Sequence, residues 1–133
     1  MNEVEITNNT SSGSGGGIYH LGNNSVLNIT NSLISGNSSN SWGGGIYNDE
    51  DSELHLINVQ VDSNVAATHG GGLANRGFYS AKGSTFNSNN ATGDNGGGIY
   101  SIGGNQNDTP DTLDQCTIPV SYTHLTLPTI YSV

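Results

Sequence analysis

Positive charge is nearly missing from this sequence. Arg76 and Lys82 stand against 11 Asp and Glu, for a net charge of −9. Such a chain cannot neutralise a phosphate backbone, so no nucleic acid is expected as a partner, and docking on anionic lipid is disfavoured for the same reason. Cysteine is equally scarce. Cys116 is alone, which removes an internal disulfide framework and a Cys-based metal site. No apolar run is long enough to cross a bilayer as a helix, so no direct membrane insertion is expected of this segment. Met1 is followed by Asn2, Glu3 and Glu5, not by a basic and then apolar stretch, so no signal peptide is read there. Apolar residues make up 32% and charged residues 10% of 133 positions. That is thin for a round globule, yet far from the highly charged composition of disordered chains. What remains is Asn, Ser, Thr and 20 Gly, the chemistry of tight turns.

The glycines are not scattered. Triplets begin at Gly15, Gly43, Gly70 and Gly96, a spacing that shrinks from 28 to 26 residues. The repeated units are Gly15-Gly16-Gly17-Ile18, Gly43-Gly44-Gly45-Ile46, Gly70-Gly71-Gly72-Leu73 and Gly96-Gly97-Gly98-Ile99. A second signature precedes each one: an apolar residue with Asn three positions on, ending at Asn9, Asn37, Asn64 and Asn89. Upstream, apolar residues alternate at Leu27/Ile29, Leu54/Leu56 and Tyr79/Ala81. Period two over short stretches is a strand signal, and nothing recurs at helical spacing. A repeat of this length accommodates three short strands and three turns. Stacked coil on coil, identical strands bury apolar residues that one coil could not bury alone. The expected fold is therefore all-β, a parallel β-helix (β-solenoid) of about four coils of 25–28 residues with a partial fifth. Glycine is expected at the sharp corners. The Asn is expected at an inward turn, its amide bonded to Asn above and below while its backbone turns left-handed.

The Gly-Gly-Gly-Ile/Leu units and the Phe-Xaa-Xaa-Asn type signature, with Phe86–Asn89 its one true copy, resemble those of right-handed parallel β-helix proteins of pectate-lyase-like architecture. They are most similar to the polymorphic outer-membrane protein repeats of bacterial autotransporter-like surface proteins. The resemblance covers Val4 to Ile118, with a third Gly where a Gly-Gly-Ala type signature is usual. It implies a secreted or cell-surface, outer-membrane-associated protein with structural or adhesive roles more often than catalytic ones. Its partners would be host or environmental glycans or surface proteins.

A fifth coil starts at Leu113 and Ile118, but no Asn follows on schedule. Pro119-Val-Ser-Tyr-Thr-His-Leu-Thr-Leu-Pro-Thr129 instead resembles the translation of a transposase sequencing adapter. Residues 1–118 are thus expected to be the β-helix fragment and 119–133 a non-native tail, so no chemistry is assigned to Tyr122 or His124. With both solenoid ends raw, end-to-end self-association is expected of the isolated fragment.

Candidate sites are few, and no catalytic set or cofactor site is read. Asp49, Glu50, Asp51 and Glu53 form the densest acidic cluster and a weak calcium candidate; a solvated acidic turn is the competing account. Asp108, Asp111 and Asp114 belong to an expanded loop that needs no ligand. Fold relatives that cleave polysaccharides need facing carboxylates, or a base with neutralising cations. Here Arg76 and Lys82 lie across a turn, and His20, His55 and His69 fall at different repeat positions. A carbohydrate-active enzyme whose active coils lie elsewhere stays open as the alternative. Tyr19, Tyr47 and Tyr100, interrupted by Ala74, are expected on one outward side, where they either receive flat sugar faces or stack on one another. Asn8, Asn28, Asn37 and Asn90 head glycosylation-type sequons, which turn chemistry also explains.

Overall fold

The computed structural model describes residues 1–93, 95–103 and 111–119. Among the described residues the regular structure is all strand, arranged in four coils. The first coil holds β1 (Glu5–Thr7), β2 (Thr10–Ser11), β3 (Ile18–His20) and β4 (Val26–Thr30). The second holds β5 (Leu33–Ser35), β6 (Ser38–Ser39), β7 (Ile46–Asn48) and β8 (Glu53–Ile57). The third holds β9 (Gln60–Asp62), β10 (Val65–Ala66), β11 (Leu73–Asn75) and β12 (Phe78–Lys82). The fourth holds β13 (Thr85–Asn87), β14 (Asn90–Ala91), β15 (Ile99–Ser101) and β16 (Thr112–Asp114). Each strand pairs with its counterpart one coil away, giving four parallel four-stranded sheets. The solenoid thus has four walls, not the three expected. The extra wall is β2, β6, β10 and β14, whose two-residue strands are too short to display any period.

Stacking puts like on like. Ile18 pairs with Ile46, then Leu73, then Ile99. Ile6 pairs with Ile34, Val61 and Phe86, and Ile29 with Leu56, Ala81 and Leu113. These columns form one continuous core. Ile34, Ile46, Val61, Leu73 and Ile99 are wholly buried, each contributing roughly 1.5–3 kcal/mol of transfer free energy. The pairing step is 25 residues from Glu53 to Phe78 but 32 from Ser80 to Thr112, so the expanded loop is an insertion between β15 and β16. A fifth coil begins where Thr117 bridges Thr85 and Ile118 packs on the core. The adapter-like stretch after Pro119, with Tyr122 and His124, lies outside the described residues, as does Asp108.

The Gly triplet and the Asn signature are two halves of one joint, seen well in the second coil. Gly43 has φ +68°, a left-handed corner that glycine adopts without steric cost. Gly44 lies so close to the third coil that an added Cβ would sit 2.5 Å from the carbonyl carbon of Val65 in β10. Gly45 leaves room for the Asn64 amide, whose nitrogen lies 3.0 Å from where a Cβ would stand. The triplet backbones are themselves laddered, with Gly44 and Gly45 amides donating to Gly70 and Gly71 carbonyls at 3.1 and 3.0 Å. The left-handed residue beside the Asn column is not the Asn. It is the residue before it: Asn8, Gly36, Ser63 and Ser88, with φ between 54° and 66°. The Asn backbone is held instead by donating its own N–H to the amide oxygen of the next Asn.

Candidate functional site

Two polar columns run through the interior, and both are occupied by the fold. In the first, the Asn64 side chain donates to the Ile34 carbonyl (2.9 Å) and to Asn89 Oδ1 (3.0 Å). Its oxygen accepts from the Asn37 N–H (2.9 Å) and Nδ2 (3.0 Å), and Asn9 repeats the pattern on Asn37. Asn37 is fully buried, so its sequon is closed to modification once the chain has folded. The second column follows the triplets: His20, Asn48, Asn75 and Ser101 share one register. Asn48 Nδ2 donates to Asn75 Oδ1 at 2.7 Å, and Asn75 Nδ2 to Ser101 Oγ at 2.9 Å. Asp111 ends it, accepting from Ser101 Oγ at 2.7 Å and from the Tyr79 amide at 3.1 Å. Burial pushes the Asp111 carboxyl above its ordinary range, against the lowering effect of the Ser101, Tyr79 and Asn75 donors. The sequence hint for this column was Asn at a constant offset after two triplets, masked by His20 and Ser101 at the other two.

The outward face of the β3–β7–β11–β15 wall is different in kind. Tyr19 stacks on Tyr47 with ring centroids 5.0 Å apart. Ala74 breaks the tyrosine row on the next rung, and Trp42 bridges the break. Its ring makes edge contacts with Tyr47 (6.3 Å), His69 (4.8 Å) and Tyr100 (5.6 Å). His69 and Tyr100 stack at 4.5 Å. Tyr47, though it points outward, is only 5% exposed beneath this cluster, whereas Tyr19 is 52% exposed. Arg76 completes the face. Its guanidinium lies 5.9 Å from the Trp42 ring centroid, a cation–π geometry. It also donates to the Tyr47 hydroxyl (3.4 Å) and pairs with Glu50 and Asp49. The Tyr47 hydroxyl in turn donates to Asp49 Oδ1 at 3.1 Å. Burial raises the Tyr47 pKa, which the Arg76 contact opposes and Asp49 reinforces.

Sequence reasoning singled out the tyrosines but missed Trp42 and the place of Arg76. Both were readable by counting from the triplets. Trp42 directly precedes Gly43 as His69 precedes Gly70, and Arg76 follows Ala74 by the same two positions that separate Asp49 from Tyr47. The acidic cluster is divided by the fold: Asp49 and Glu50 turn to Arg76, while Glu53 pairs with His55 at 3.5 Å. Among the described residues no three His, Cys, Asp or Glu side chains come together as a metal site. The histidines take separate places: His20 in the second column, His69 in the aromatic face, His55 on the β8 outer surface. Lys82 lies on that same wall as His55 and pairs with Asp114 at 3.9 Å.

One arrangement on that wall has the outline of a nucleophile and base: His55 Nδ1 is 2.7 Å from Ser80 Oγ, with Glu53 on the other ring nitrogen. Ser80 lies in the middle of β12, laddered on both sides to His55 and Thr112. Its backbone therefore belongs to the sheet, and the site lacks the turn or helix N-terminus that supplies oxyanion donors to acyl-transfer serines. The contact reads as a cross-strand hydrogen bond.

Compared with known proteins, the chain matches the Chlamydia polymorphic membrane protein repeat over residues 3–20 and 31–49. The two segments are successive coils cut at the same places, from the left-handed corner at Glu3 or Asn31 through the strand after the triplet. The parallel β-solenoid is consistent with a polymorphic membrane protein repeat protein. No curated protein and no solved structure matched the chain.

Proposed function

We propose that this chain, a stack of coils similar to the Chlamydia polymorphic membrane protein repeat, is a non-catalytic structural and adhesive segment of a bacterial surface protein, displayed at the outer membrane in the manner of an autotransporter passenger. The observation that carries the reading is the use of the polar residues. The buried Asn and Ser columns are bonded along the stack axis, and the outward carboxylates Asp49, Glu50, Glu53 and Asp114 pair with Arg76, His55 and Lys82. What is left for the outside is a long repetitive surface carrying one aromatic face. A solenoid of this kind grows by adding coils, which suits a stalk or adhesin held away from a cell.

The test has two arms. The 133-residue chain, fused to a surface-display anchor, is expected to raise attachment of the displaying cells to glycan-bearing or protein-bearing surfaces over the anchor alone. Incubated with neutral and acidic polysaccharides, it is expected to release neither reducing ends nor unsaturated products. Sustained turnover in the second arm would replace this reading with a carbohydrate-active enzyme.

A further inference from the structure

The aromatic face has a shape and charge that select among occupants. Trp42, Tyr19, Tyr47 and Tyr100 are the tryptophan of the chain and three of its six tyrosines, and they gather on one wall. The outward strand positions of the β1–β5–β9–β13 wall are Thr, Ser, Asn, Gln, Glu and Asp with Leu33 an isolated aliphatic, and among the described residues the β4–β8–β12–β16 wall carries one ring contact, His55 against Phe78. Four rungs at about 4.8 Å and some five residues at about 3.3 Å bound the face to roughly 300 Å². A stable protein–protein interface needs about 800 Å² per partner, so the face is too small to hold a folded protein by itself. It is large enough for a short chain of flat, hydroxyl-rich rings. From these observations we infer that the face is a saccharide-binding site, and that its ligand is a neutral glycan lying along the solenoid axis.

Each feature has a use in that complex. Tyr19 is half open and backed by the ring of Tyr47, so it offers a pre-oriented platform for the apolar face of a pyranose. Tyr100, two coils from Tyr47 past the small Ala74, forms a second platform with Trp42 set edge-on against it. Arg76, Asp49 and Glu50 stand alongside as donor and acceptors for sugar hydroxyls. The charge decides the class. Asp49, Glu50 and Asp51 crowd one turn beside the single Arg76, in a chain of net charge −9. A polyuronate or sialylated chain would be repelled, while a neutral one loses nothing.

The inference rests on the adhesive reading and names its ligand class. Trp42 is the one tryptophan, so its fluorescence reports directly on the face. Titrating the full chain with cellohexaose and maltohexaose is expected to give a saturable change in Trp42 emission with at least one of them, and none with polygalacturonate. Tyr19→Ala and Tyr100→Ala are each expected to weaken binding about tenfold, the scale of one ring-stacking contact. Val26→Ala, on another wall and 54% exposed, should leave it unchanged. Circular dichroism and melting of Tyr19→Ala should match the parent, since that ring is half outside the fold. No response to either neutral oligosaccharide, tighter binding of polygalacturonate, or affinity indifferent to Tyr19→Ala would each overturn the inference. So would an emission shift that follows protein concentration alone, because a second copy would then be the occupant. Cell attachment that persists without any saccharide response would sink this inference and leave the adhesive reading standing.

Discussion

Asn64 commits its whole side chain to the coils on either side, two donors and an oxygen that accepts twice. Asn64→Ala leaves buried Ile34, Asn37 and Asn89 groups without partners, and should lower unfolding free energy by about 3 kcal/mol, from net hydrogen bonds near 1 kcal/mol each and the cost of orphaned buried groups. Asn9→Ala, at an exposed edge, should lose less than about 1 kcal/mol in the same urea titration. The glycines divide as sharply. Gly44→Ala forces a methyl against the Val65 carbonyl and should lose about 1–3 kcal/mol, the usual range for overpacking. Gly13 has nothing within 4 Å of an added Cβ, so Gly13→Ala should stay within about 0.5 kcal/mol of the parent. The residue scale also explains why the two sequence signatures travel together: the third Gly of one coil makes space for the Asn of the next.

At the scale of elements, the five-residue and three-residue strands were legible because their alternating apolar positions are the inward columns. The two-residue wall was not, because Thr10–Ser11 or Ser38–Ser39 shows no period and reads as turn. The second polar column was hidden for another reason: His20 and Ser101 replace Asn at its ends, and its terminal group, Asp111, comes from an insertion. That group gives the molecule a pH signature. Its folded-state pKa is raised by burial, so the neutral form favours the fold. This stabilisation is complete below the unfolded carboxyl pKa and is lost as pH rises through the folded value. Urea midpoints measured from acid upward should fall across that window, and Asp111→Asn should flatten the fall. An unchanged profile in the variant would assign the pH dependence to the general excess of carboxylates.

The whole molecule is quasi-one-dimensional, and its stability resides in the interfaces between coils. β1 to β4 are edge strands of their sheets, with ladder groups facing outward along the axis. Light scattering of the 133-residue chain should therefore show mass rising with concentration through end-to-end association; a monodisperse monomer across that range would contradict it. A chain ending at Ile118 keeps every buried core residue among the described ones and should melt within about 2 °C of the full chain, which scanning calorimetry would check. A large drop would make the tail part of the fold.

The sequence alone determined the solenoid, its coil length and the identity of its inward columns. It could do so because every stacking neighbour in such a fold is the same position one repeat away, so a period in the chain becomes a column in space. The aromatic face was decided only by tertiary structure. Trp42 meets Tyr100 across two coils because the rung between them carries Ala74, and Arg76 joins because its register places it beside Tyr47 and Asp49. The Trp42–Tyr100 and Arg76–Tyr47 contacts join unlike positions of different repeats. They depend on side-chain size and direction at each rung, which periodicity does not encode.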